Sequence, residues 1–67
     1  MISLDRILEL IQDIQWHSLD EIKLIVSMPS DKLNEALYFL QKQALIDIKD
    51  EMLKITYTGL KFLQLKS

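Results

Sequence analysis

Between residues 45 and 56 the chain changes sides at every step. Ile46 and Ile48 alternate with Asp47 and Lys49, and Leu53 and Ile55 alternate with Met52 and Lys54. A period of two marks strands with one face buried and one face wet. Only Asp50-Glu51 separates the two runs, so they must double back as a hairpin in which Ile46 and Ile48 share an apolar layer with Leu53 and Ile55. The turn has no glycine, which two-residue hairpin loops favour, and its geometry stays open. A lone hairpin is at best marginal in water. The remaining residues therefore have to cover its apolar layer.

Those residues read as helices. From Ser3 to Gln15, Leu4, Ile7, Leu8, Ile11 and Ile14 recur at helical spacing, Leu10 widens the stripe, and Asp5, Arg6, Glu9, Gln12 and Asp13 take the other side. Ser3 is the expected N-cap. Trp16-His17 interrupts the period and reads as a short extended link. Ser18-Leu19-Asp20-Glu21 has the form of a capping box, which opens a second helix to about Ser27 with Leu19, Ile22, Ile25 and Val26 on one face. Met28-Pro29 ends it, because proline disfavours helical geometry in the residue before it. Ser30 is the expected N-cap of a third helix to about Gln43. Its inner face is Leu33, Ala36, Leu37 and Leu40, and its outer face is Asp31, Asn34, Glu35, Tyr38, Gln41 and Lys42. After the hairpin, Thr56 can cap a last helix through Leu65. There Leu60 and Leu63 lie on one side and Phe62 and Leu65 on another, so that helix needs two places to bury its apolar groups.

Composition narrows the function. Sixty-seven residues suit one domain, residues 1–67. Hydrophobic residues make up 49% of the chain, generous for a core this small, which hints at self-association. Without cysteine, and with one histidine, no disulfide framework or transition-metal site is expected. No nucleophile–base pair or glycine-rich phosphate loop is present, so neither catalysis nor a cofactor is expected. The start of the chain lacks the basic flank and unbroken apolar run of a signal peptide, and no run approaches a bilayer span. A cytoplasmic protein with no membrane partner is the expectation.

Two strings carry a resemblance. Leu40-Gln41-Lys42-Gln43-Ala44-Leu45-Ile46 looks like the end of a recognition helix entering a first wing strand. Ile55-Thr56-Tyr57-Thr58-Gly59-Leu60-Lys61-Phe62-Leu63 is similar to a "leu-thr-x-x-gly-x-x-phe-leu" run leaving a second one. Together with the element order, they resemble the winged helix-turn-helix domain of prokaryotic transcriptional regulators. The resemblance covers essentially the whole chain. It implies a mainly α fold with a small β-hairpin: a three-helix core, a two-stranded wing and a C-terminal helix. Ala44 stands where that family often has glycine, and the wing tip is short and acidic.

What the resemblance implies is a DNA-binding transcription regulator whose third helix, about 30–43, enters the major groove of double-stranded DNA. The groove-facing positions would be Ser30, Asp31, Asn34, Glu35 and Tyr38, with Lys42, Lys49 and Lys54 placed for phosphates. The start of the second helix would also hold backbone. Independently of the resemblance, the excess apolar residues of the last helix point to a homodimer in which helices one and four meet through Leu10, Phe62 and Leu65. The charge argues the other way. The net charge is −2, and the lysines at 32, 42, 49 and 54 are more than matched in number by the acids of the same region, Asp31, Glu35, Asp47, Asp50 and Glu51. DNA-binding domains usually carry a basic footprint. A winged-helix protein–protein interaction module, with a protein partner in place of DNA, is the alternative.

Overall fold

The computed structural model describes residues 4–66. Among them are four helices and one antiparallel sheet: α1 (Leu4–Leu10), β1 (His17–Ser18), α2 (Leu19–Ile25), α3 (Ser30–Lys42), β2 (Ile46–Lys49), β3 (Met52–Ile55) and α4 (Tyr57–Lys66). The strand order is β1-β3-β2. The Ser3 cap lies outside the described residues.

The hairpin forms as its alternation requires. Ile46 pairs with Ile55 and Ile48 with Leu53, so one sheet face is apolar. Ile46, Leu53 and Ile55 are buried and Ile48 is half-buried. Asp50 and Glu51 both take positive φ, 50° and 61°. That is the primed turn whose twist matches the flanking strands, built here without the glycine that adopts it at no steric cost.

A third strand was not anticipated. The link at His17-Ser18 pairs antiparallel with β3, His17 opposite Leu53 and Ser18 opposite Met52, so the sheet has three strands. The first helix is also shorter than its periodicity suggests. It ends at Leu10, and the chain tightens through bonds from the Ile11 amide to the Leu8 carbonyl and from the Ile14 amide to the Ile11 carbonyl. Ile14 then takes φ 64° and is 50% exposed. Its expected place on the inner stripe is therefore wrong. Asp13 helps divert the chain by accepting from the Gln15 amide, a local bond that competes with helix.

Ile7, Leu8 and Ile11 from α1 and its tail, Ile22 and Val26 from α2 and its end, and Leu33, Leu37 and Leu40 from α3 meet the sheet in one core. Ile25 is exposed and does not join them. Helix α4 adds Leu60, Phe62 and Leu63 at the core's edge and packs beside α1. The radius of gyration is 10.8 Å, close to the ~11 Å that scaling gives a compact domain of this size.

Helix ends are fixed by named bonds. The Ser18 hydroxyl accepts from the Glu21 amide, as its capping box requires. Glu21 does not complete the box; its carboxylate turns to His17. Pro29, not Ser30, is the N-cap of α3, and no side chain caps that end. Proline has no N–H to leave unpaired there and a fixed φ near the required value.

At the other end of α3 the Leu45 amide donates to the Leu40 carbonyl and the Ala44 amide to the Gln41 carbonyl. This is a Schellman closure with Ala44 in the left-handed region at φ 61°. Thr56 ties that closure to α4. Its amide donates to the Leu45 carbonyl, its hydroxyl donates to the Ala44 carbonyl, and the same oxygen accepts from the Gly59 amide.

Candidate nucleic-acid interface

Helix α3 turns Leu33, Leu37 and Leu40 inward, which obliges the residues between them to face out. Ser30, Asp31, Asn34, Glu35, Tyr38 and Lys42 are all exposed along this one helix. Thirteen residues make a rod about 20 Å long. The face is of mixed charge. Lys32 stands 3.9 Å from Glu35, both well exposed, a pair of small energetic weight. The Lys42 ammonium lies 5.6 Å from the centre of the Tyr38 ring, one helical turn back. At an exposed site that contact contributes roughly 0.5 kcal/mol, enough to bias the lysine but not to hold it. Asn34 offers both a donor and an acceptor, Ser30 a hydroxyl not spent on capping, and Tyr38 a phenol.

The two hairpin lysines belong to a different surface. Residues paired across strands share a sheet face, so Lys54 sits with Asp47, and Lys49 with Met52, on the side away from the core. Lys54 also lies 5.7 Å from the centre of the Trp16 ring. Trp16, Lys49, Asp50 and Met52 line a shallow open depression of about 290 Å3 on this outer face. Trp16, expected as a core or interface anchor, is 44% exposed, which excludes only the core role. Sequence reasoning left it out of the site. The signal available was its place one residue before His17, which puts it on the opposite face of whatever strand forms there.

The start of α2 has little left to offer a phosphate. Its Leu19 amide donates to the Glu51 carbonyl and its Glu21 amide to Ser18. Asp50 and Glu51 stand beside it, lining a second small concavity with Ser18, Leu19, Asp20 and Met52. Two occupied amides and the adjacent carboxylates make this end a poor phosphate site compared with the start of α3. Of the expected dimer residues, Leu10 and Phe62 are half-buried against the core, and Leu65 is 85% exposed.

Sequence reasoning also missed a cluster at His17. The ring lies between two carboxylates, with Nε2 2.8 Å from Asp13 and Nδ1 2.9 Å from Glu21. Hydrogen bonding to Asp13, then to Glu21, raises the imidazole above its ordinary 6.5, with charge attraction adding and burial opposing. The same bond is the main cause holding Asp13 below its usual 3.8. The spacing of four residues on each side of His17 was readable. What was not readable is that a turn and a strand, in place of one helix, bring these groups together.

No protein-family model, curated protein or solved structure matches this chain.

Proposed function

We propose that the chain is a small winged helix-turn-helix protein that binds double-stranded DNA with the outer face of α3. In this reading it is a cytoplasmic transcription regulator and not an enzyme, it acts as a homodimer, and α2 and α3 are the helix-turn-helix. The observation that carries the reading is the exposed run Ser30, Asn34, Tyr38 and Lys42 on a 13-residue helix that leads directly into a hairpin. A helix of ordinary diameter fits the major groove, about 12 Å wide. The amide of Asn34 suits adenine, and Lys42 is placed for a phosphate.

The uncapped start of α3 supports the same orientation. With Pro29 as N-cap, no side-chain oxygen occupies its first amides, and a phosphate is a natural acceptor there. Few charges take part. If Lys42, Lys49 and Lys54 are the phosphate contacts, the logarithm of affinity falls with the logarithm of salt at a slope of about −3 per protomer.

Three exposed apolar side chains favour a second reading. Leu24 is 86% exposed, and Ile25 and Phe39 are nearly half exposed. With the acidic turn at Asp50-Glu51, they suit a protein partner better than a polyanion. An anisotropy titration against mixed duplex DNA at low salt separates the two. Binding stronger than roughly 10 μM supports the DNA reading, and no binding at several times that concentration leaves the interaction module.

A further inference from the structure

His17 sits at a joint. On one side Asp13 belongs to the turn that follows α1, and on the other Glu21 belongs to the first turn of α2. The ring itself lies on β1, opposite Leu53, and its side chain is only 14% exposed. Ionised carboxylates accept hydrogen bonds and cannot donate them. A neutral imidazole has one N–H and satisfies one partner; only the imidazolium satisfies both. The geometry therefore requires a charged ring.

We propose that His17 is a pH-sensitive pin, which in its protonated form locks the turn after α1 to the start of α2 and on losing its proton releases that joint. Among the described residues, the charged groups paired with the ring are Asp13 and Glu21. The strand opposite presents Leu53, while Lys54 occupies the other sheet face against Trp16. Three bonds from backbone amides make up the joint: Gln15 to the Asp13 carboxylate, Leu19 to the Glu51 carbonyl, and Glu21 to the Ser18 hydroxyl.

The sign follows from linkage. The folded-state imidazole titrates above its ordinary 6.5, so the pin is fully present below 6.5 and is lost as pH rises through the higher folded value. On the acid side Asp13 titrates below its ordinary 3.8, so its share is present above 3.8 and is lost as pH falls through the lowered value. The pin thus acts between the lowered value of Asp13 and the raised value of His17, and opens as pH rises through the latter.

NMR of the whole chain tests this. Both ring nitrogens of His17 should carry protons at pH 6.5, with a titration midpoint above that value, and Asp13→Asn and Glu21→Gln should each lower the midpoint. Amide exchange supplies a second readout. Protection at Gln15, Leu19 and Glu21 should drop above the midpoint, by about tenfold for each pH unit by which the folded midpoint exceeds that of the opened joint. Protection at Leu45, at the far end of α3, should stay level. In His17→Gln the three joint amides should exchange fast at every pH. A midpoint at or below 6.5, or a His17→Gln variant that keeps wild-type protection at those three amides, overturns the proposal.

Discussion

Gly59 on α4 lies directly against the backbone carbonyl of Leu45, the residue that closes α3. A Cβ at position 59 would overlap that oxygen and stand 2.8 Å from the Ile55 side chain. The oxygen cannot retreat, because it also accepts from the Thr56 amide. Gly59→Ala should therefore destabilise the fold by roughly 3 kcal/mol, although alanine is the better helix former by about 1 kcal/mol. Urea unfolding measures it, and an unchanged midpoint would mean that α4 does not approach α3 in this way.

Ala44 is the mirror case. Its left-handed backbone carries a Cβ that costs about 1–2 kcal/mol relative to glycine, partly offset by the freedom glycine gains in the unfolded chain. Ala44→Gly is expected to stabilise by about 1 kcal/mol, which raises the melting temperature by roughly 5 °C. A lower melting temperature would contradict the Schellman closure.

The hairpin turn carries the same strain twice, at Asp50 and Glu51. The double change Asp50→Asn with Glu51→Gly suits a primed turn and should add about 1 kcal/mol of stability. It also removes two negative charges from the hairpin tip. Under the proposed function, low-salt affinity for duplex DNA should rise with it, as fluorescence titrations of both chains would reveal. A gain in stability without a gain in affinity places the tip away from the nucleic acid.

The proposed homodimer rests on Leu65, which is 85% exposed on α4, together with Leu10 and Phe62, which are half-buried at the core's edge. Sedimentation equilibrium should give twice the chain mass for the wild type, and Leu65→Glu should shift that mass towards the monomer. A monomeric wild type at a concentration of roughly 100 μM would remove the dimer from the account.

Much of this fold was legible in the sequence. Leu33, Leu37 and Leu40 define α3 by period, and Ile46, Ile48, Leu53 and Ile55 define the hairpin by alternation. Ser18 and Thr56 declare their helix starts through side chains that bond the backbone three residues on. The parts that escaped depend on partners distant in the chain. A strand of two residues has no period, so β1 exists only because β3 lies beside it. Helix α1 keeps its apolar spacing beyond the point where its backbone departs from helix, which is why Ile14 reads as buried. On the functional side, the exposed face of α3 follows from its buried face. The company of Lys54 with Trp16 needs the sheet register, and His17 between two acids needs the joint folded.

The central claim is that the outer face of α3 meets duplex DNA. Mapping amide chemical shifts during a low-salt titration with a mixed duplex tests it residue by residue. The largest changes should fall on Ser30, Asp31, Asn34, Tyr38 and Lys42, with smaller ones on Lys49 and Lys54, and Lys42→Glu should suppress them. Changes confined to α1 and α4, or a spectrum that DNA leaves untouched, would contradict it.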